Sequence, residues 1–406
     1  MNLTAAQRDR ACGTLLATAA GDALGAGYEF NGPRGPDEPV AMVGGGLGPF
    51  QPGEWTDDTS MAIAIAEIAA TGADLRDQAA LDYIAERWHG WARDAKDVGV
   101  QTRSVLSAAG RRGISARTAR EESADLHEST GRTAGNGSLM RTAPVALAFL
   151  DDEAGLVKAA RVISELTHYD PEAGDACVLW CAAIRHALVT GQLDARIGLG
   201  HLEADRRALW VARLDDAENS PPSAFSGNNG WVVAALQGAW SAIATTPGPP
   251  EDLAAGVFRA DHLRLALEAA VRGGGDTDTV AAIAGGLLGA VYGASAVPAD
   301  WRLMLQGWPG LRTRGLIHLA DRIIVNGAPD PFDYTYGGYP EARQTVRHPH
   351  DENVWIGGIA SLHKLPDGVD AIVSLCRVAD GDLPAGVTHL DVRLIDEVGE
   401  NPNLDF

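Results

Sequence analysis

The sequence predicts an all-α protein, a compact many-helix bundle followed by a small β-rich tail. Apolar residues recur at helical spacing, with abundant Ala, over residues 61–70, 80–92, 139–150, 173–189, 230–243 and 279–292. Loops bearing Gly, Pro and Asp join these stretches, and no run of alternating β-branched residues interrupts them before about residue 325. Their small residues let helices approach closely, which favours a dense bundle. Past a segment rich in Pro, Gly and Tyr at 327–350, the pattern turns β-like over 354–360, 371–375 and 389–395, with turns at Asp367-Gly368 and Asp380-Gly381.

A length of 406 residues suits one large domain and a small one, divided as 1–326, a linker at 327–350, and 351–406. With 46% hydrophobic and 21% charged residues the chain is not mainly disordered. Its 54 acidic and 33 basic residues give a net charge of −21, which argues against the nucleic-acid backbone or an anionic membrane as a partner. That balance fits an acidic site that recruits cations. Four cysteines, none in a CxxC pair, make no disulfide framework, so a reducing, cytoplasmic compartment is expected.

Two apolar stretches imitate membrane signals. Residues 11–20 follow Arg8 and Arg10 as an export signal would, but Thr14 and Thr18 interrupt the run and Asp22 ends it. Residues 280–299 are uncharged and long enough to span a bilayer. They are mostly Ala and Gly and are bracketed by Asp276, Asp278 and Asp300, which reads as a small-residue helix buried in a helical core. No span is expected.

The chemistry lies in two acidic clusters far apart in sequence. Trp55-Thr56-Asp57-Asp58-Thr59 precedes a helix opening at Met61, and Gly273-Gly274-Gly275-Asp276-Thr277-Asp278-Thr279 precedes the helix from Val280. Either cluster could simply cap its helix, because Ser, Thr and Asp satisfy free N–H groups there. Together they hold more oxygen ligands than capping needs, and their carboxylates would repel one another unless cations intervened. Hard divalent ions such as Mg²⁺ or Mn²⁺ want such ligands, so a binuclear site is the sharper expectation. The consecutive glycines allow turns closed to other residues. Gly135-Asn136-Gly137-Ser138 runs into the apolar stretch from Leu139, either as an anion nest for phosphate or as a plain Asn-Gly turn. Gly21-Asp22-Ala23-Leu24-Gly25, with Glu29 beyond, is glycine-rich without being a dinucleotide fingerprint, and no Walker pattern occurs.

In order, GDALGAGYEF (21–30), WTDDTSMAIAIAE (55–67), KDVGVQTRS (96–104), GNGSLMRTAPVAL (135–147), Thr167-His168 with an Asp-Pro turn, and GGDTDTVAAIAGGLLGAVYG (274–293) resemble the ADP-ribosylglycohydrolase family. The likeness runs over about residues 8–325. It implies an all-α domain that binds two Mg²⁺ or Mn²⁺ ions and cleaves the glycosidic bond at C1″ of ADP-ribose. Carried over, Thr56, Asp57, Asp58, Asp276, Asp278 and Thr279 match metal ligands, with Thr59 adjoining them. Glu29 matches an acidic residue that closes over the metals, and Asp97 one beside the scissile ribose. Gly135, Asn136, Gly137 and Ser138 match the loop holding the pyrophosphate and ribose. His168 matches a substrate-side histidine, a core or cap histidine being the alternative.

The implied partner is an ADP-ribosylated protein or an ADP-ribose-containing small molecule, with nucleic acid only as a modified substrate and no membrane. An arginine linkage is the first expectation, in the manner of the bacterial branch. Serine-linked, nucleic-acid-linked or small-molecule ADP-ribose, a metal-dependent phosphoesterase, or a binder without turnover are the alternatives. In the tail, NVWIGGIASLHKLPDGVDAIVSLC (353–376) and HLDVRLID (389–396) resemble the opening strands of dual-specificity phosphatases, with Asp396 where that family carries its general-acid loop. The Cys-x5-Arg loop that such enzymes require is missing: Thr18, Ala183, Ala187 and Asp382 stand six places after Cys12, Cys177, Cys181 and Cys376. A small β/α cap or oligomerisation element is the other reading of the tail.

Overall fold

The computed structural model describes residues 3–328, 345–376, 378 and 382–392. Thr4 opens the first helix, its hydroxyl accepting from the Gln7 N–H while Gln7 Oε1 accepts from the Thr4 N–H. In chain order the helices are α1 (Ala5–Gly25), α2 (Asp57–Ala69), α3 (Gln78–Trp91), α4 (Val100–Arg111), α5 (Ala116–Thr130), α6 (Ala143–Ala148) and α7 (Glu153–Glu165). They continue with α8 (Pro171–Thr190), α9 (Ala204–Asn219), α10 (Val232–Thr245), α11 (Asp261–Gly273), α12 (Thr277–Tyr292), α13 (Ala299–Met304) and α14 (Thr313–Ile324). Strands β1 (Gln306–Gly307) and β2 (Leu311–Arg312) form a short antiparallel hairpin between α13 and α14, a departure from the purely helical expectation for this part.

The bundle is organised around α1 and α12. Every residue from 11 to 25 in α1 is buried, and in α12 only Tyr292 is not. The stretch that imitates an export signal is therefore central core, as is the small-residue run at the start of 280–299. These helices touch backbone to backbone. A Cβ on Gly21 would lie 2.1 Å from the Ala281 carbonyl oxygen, and one on Gly289 would lie 2.0 Å from that of Gly13. Around this pair the indole N–H of Trp88 donates to the Met61 carbonyl, and that of Trp180 to the Ile283 carbonyl, so both buried rings are satisfied. Among the described residues no helix is long and apolar enough to cross a membrane.

Two helix starts differ from the sequence expectation, and both concern the site. α2 begins at Asp57 rather than at 61, so Asp57 and Asp58 lie inside its first turn. The stretch 139–150 is helical only over Ala143–Ala148 and is preceded by a 3₁₀ turn, Asn136–Ser138. Pro144 explains the late start, since proline is tolerated only in a helix's first turn.

The described residues fall into two compact units, 3–328 and 345–392. In the second, β3 (Thr345–His348) pairs antiparallel with β4 (Asp351–Gly357), while β5 (Ala371–Ser374) pairs parallel with β6 (Thr388–Asp391). Residues 345–348, assigned by composition to the linker, are thus strand, because Val346 alternates into register opposite Ile356. The remainder of the linker at 329–344, the Asp380-Gly381 turn and Asp396 lie outside the described residues.

Candidate active site

The start of α2 is held by α1. Asp22 Oδ1 accepts from the Thr56 N–H at 2.8 Å and Oδ2 from the Thr59 N–H at 3.0 Å. An aspartate 34 positions upstream thus supplies the cap, and Thr56 makes no side-chain cap bond of its own. Nor does Asp276, the residue preceding α12. The simple capping reading of the two clusters therefore fails, and their carboxylates are left for other work.

At α12 the chain turns through Gly274 and Gly275, with φ of 81° and 76°. Asn229 clamps this turn, accepting from the Asp276 N–H at 2.9 Å and donating to the Gly274 carbonyl at 3.0 Å. A Cβ on Gly275 would lie 2.5 Å from Asn229 Oδ1, so only glycine fits. Asn136 joins the two sides by donating to Asp276 Oδ2 at 2.7 Å and to the Asn229 carbonyl at 2.8 Å.

These contacts gather carboxylates from three regions of the chain. Oxygens of Asp22, Asp58 and Asp278 lie within 4.8 Å of one another, as do oxygens of Glu29, Asp276 and Asp278. The Thr56 hydroxyl lies 3.0 Å from Asp58 Oδ2 and 3.5 Å from Asp278 Oδ2. Asp58 Oδ1 is buried without a hydrogen-bond partner, an arrangement that suits an oxygen-seeking cation. Among the described residues no Lys or Arg hydrogen-bonds any of these carboxylates.

Electrostatics follow from that crowding. Burial, then the charges of Asp276 and Asp97, pushes Glu29 up to about 8. Burial, then Asp97 and Asp22, pushes Asp57 up to about 7, and burial pushes Asp22 up to about 6. Asp58 and Asp278 stand well above the usual carboxylate range for the same reasons, and Asp276 is raised as well. Each group thus binds its proton more tightly in the folded state than in the unfolded one. In the metal-free protein the stability these groups contribute is therefore fully present below about pH 4 and is lost as the pH rises through about 6 to 8. Thermal melts at acid and mildly alkaline pH check this, and a divalent ion should restore more stability at the alkaline end. A metal-free melting temperature that climbs over the same interval would contradict it.

The remaining expected residues are disposed around this centre. Asp57 belongs to neither oxygen group; its Oδ2 accepts from the Gly99 N–H at 3.2 Å. Asp97 is half-buried, close enough for its charge to raise both Asp57 and Glu29. Thr279, buried, follows Asp278 and donates its N–H to Asp278 Oδ1 at 3.0 Å. Glu29 Oε2 accepts from the Leu47 N–H at 3.4 Å.

The Gly135–Ser138 turn does not run straight into a helix, as the sequence suggested, but closes a 3₁₀ turn of its own. The Asn136 N–H is committed to the Gly230 carbonyl, and α6 begins only at Ala143. The turn instead packs on His168: Cβ atoms at Gly135 and Gly137 would meet its Nε2 at 3.2 and 3.1 Å. Arg141, stacked 3.9 Å over Trp88, donates to the Thr167 hydroxyl at 2.7 Å, and that hydroxyl lies 2.7 Å from His168 Nδ1. Burial and the Arg141 charge hold His168 well below its usual range, so it is neutral. The Nε2 edge of the His168 ring faces the turn.

Asp22, Asn229 and the Arg141–Thr167 pair are the residues the sequence reading missed. Asp22 lies within the GDALG stretch, where its signal is a lone acid between glycines.

A helical fold with converging carboxylates at two helix starts describes a class of metal-dependent hydrolase, and sequence comparison makes the class specific. The sequence pattern of the ADP-ribosylglycohydrolase family matches residues 3–330, and the chain belongs to that family of hydrolases. It is similar to the ADP-ribosylarginine hydrolase Tri1 of Pseudomonas putida (strain GB-1), with 30% identity over 299 residues, 72% of this chain and 73% of the relative. It is also 31% identical over 300 residues to the ADP-ribosyl-[dinitrogen reductase] glycohydrolase of Rhodospirillum rubrum, covering 72% of this chain and 89% of that one. A solved structure described as an ADP-ribosylglycohydrolase-related protein complex superposes with a TM-score of 0.56 at 27% identity, over 79% of this chain and 99% of the other.

Proposed function

We propose that the protein removes ADP-ribose from arginine side chains. The observation that carries this reading is the convergence of Asp22, Glu29, Asp58, Asp276 and Asp278, with Asp57 beside them and, among the described residues, no Lys or Arg bonded to any of them. Relatives named as an ADP-ribosylarginine hydrolase and an ADP-ribosyl-[dinitrogen reductase] glycohydrolase support the substrate class. Two divalent ions, Mg²⁺ or Mn²⁺, held by Thr56, Asp57, Asp58, Asp276, Asp278 and Thr279, would supply Lewis-acid polarisation and a water of lowered pKa.

The chain's own residues do the rest. Asn136 fixes Asp276 through its amide, and Asp22 fixes the first turn of α2. The Gly135–Ser138 turn, with His168 behind it, holds the phosphate and ribose. In the hydrolysis the C1″–N bond breaks, water's oxygen goes to C1″, and a proton goes to the departing guanidine. In this reading Glu29 and Asp97 take up and deliver the protons. A guanidinium keeps its charge when bound and favours an acidic pocket, whereas a serine hydroxyl offers no cation. Asp97→Asn is therefore expected to cost about 1–3 kcal/mol more on arginine-linked than on serine-linked ADP-ribose, the value of a charged hydrogen bond. Paired kcat/KM measurements on the two substrates test this. Equal losses would assign Asp97 to the ribose alone, and wild-type activity confined to serine-linked conjugates would refute the arginine reading. The tail's likeness to a phosphatase rests on sequence alone, and no phosphatase chemistry is assigned to it.

A further inference from the structure

We propose that a cavity beside Asp57 and Asp97 is the acceptor-side subsite, and that it takes a polypeptide segment carrying the modified arginine rather than the lone amino acid. This rests on the arginine reading above. The cavity is an open cleft of about 970 Å³, at the upper end of the roughly 300–1,000 Å³ typical of ligand pockets. Its walls are residues 50–60, one face of α3, residues 94–97 and the hairpin 306–312. Thr56, Asp57 and Asp97 line it, whereas Glu29, Asn136, His168 and Asp276 do not. A substrate whose ADP moiety lies on the Gly135–Ser138 side thus has its scissile bond at the Asp57 edge and its leaving group directed into this space. The room exceeds what one arginine side chain would fill.

The lining favours a cation. Lys96 is held by Glu54, both contacts at 2.7 Å, and Arg87 by Glu67 at 2.8 and 2.7 Å, so these positive charges are already matched. Arg312, the other basic residue of the lining, is exposed and hydrogen-bonds Gln306. Glu86, Asp94 and Asp97 also line the cavity, and among the described residues their carboxylates have no hydrogen bond or ion pair. The aromatic walls already accept cations over their faces: the Arg87 guanidinium lies 4.5 Å from the Trp308 ring and Lys96 lies 5.3 Å from that of Phe50.

Gly90 of α3 gives direct access to the proposal. It lines the cavity, and a Cβ built on it meets no atom within 4 Å. Its helical backbone accepts any side chain, so Gly90→Leu should fold and fill the space, and Gly90→Ala should fold and leave it largely open. The test uses the full chain with Mg²⁺, a peptide bearing one ADP-ribosylated arginine, free ADP-ribosyl-arginine, and ADP-ribose as a binding probe. We expect Gly90→Leu to lower kcat/KM on the peptide relative to the free conjugate by about tenfold, mainly through KM, while ADP-ribose affinity stays within about twofold. Glu86→Gln combined with Asp94→Asn should raise the peptide KM in the same direction. An unchanged peptide-to-conjugate ratio in Gly90→Leu would overturn the assignment, as would a loss of ADP-ribose binding that parallels the loss of turnover. A wild type inactive on both arginine substrates but active on another linkage would sink the arginine reading itself, a result distinct from either of these.

Discussion

Replacing Asp276 and Asp278 together by Asn should abolish turnover and remove the thermal stabilisation that Mg²⁺ or Mn²⁺ gives the wild type. Asp278 contributes an oxygen to both of the carboxylate groups, and Asp276 to one of them. Neutral amides cannot balance dications there, whereas they can still fold into the turn that Asn229 clamps through backbone atoms. The variant should even gain metal-free stability at pH 8, because the substitutions remove buried like charges. Ligand-dependent stabilisation requires binding to the native state, so its loss reports on the ions independently of activity. Paired melting curves with and without metal, together with an activity assay, check both halves. A double variant that kept metal-dependent turnover would place the ions elsewhere.

Gly25→Val is expected to have the next largest effect, acting on packing and site at once. A Cβ at Gly25 would lie 2.4 Å from the Asp278 Cα and 2.4 Å from its nitrogen, so the first turn of α12 would have to move. Overpacking of this kind costs about 1–3 kcal/mol, occasionally more. Here the displaced backbone carries Asp278 and lies beside the Thr277 hydroxyl, which donates to the Gly25 carbonyl at 2.9 Å. A lowered melting temperature together with lost activity is the expected outcome. Gly90→Ala, whose Cβ meets open space, serves as the control and should melt no lower than wild type. A Gly25→Val protein with unaltered melting temperature and rate would show that α1 and α12 are not packed backbone to backbone at this point.

The legible parts of this protein are the local ones. Apolar stretches rich in Ala announced α2, α3, α8, α10 and α12, because each of those helices buries a face, or all of itself, within the core. No apolar stretch delimits α1, α4, α5, α7, α9, α11, α13 or α14. Of these, α4, α5 and α9 bury only a few positions and are otherwise polar, so no apolar run marks them. The two acidic clusters were visible because their residues are contiguous. Asp22 was not, because its meaning comes from amides 34 and 37 positions away. After Ser138 the apolar run suggests a helix from Leu139, but Pro144 fits only a helix's first turn and delays α6 to Ala143. The cavity has no sequence signature at all, since its walls come from segments around 55, 90 and 308 that meet only in the fold.

The most direct measurement of the central claim is the product released from an arginine-ADP-ribosylated protein by the purified chain, with Mg²⁺ and then with chelator. Free ADP-ribose and an intact arginine, formed only when the divalent ion is present, are the expected products. AMP or inorganic phosphate in their place, or ADP-ribose released equally well in the presence of chelator, would contradict a metal-dependent cleavage of the glycosidic bond.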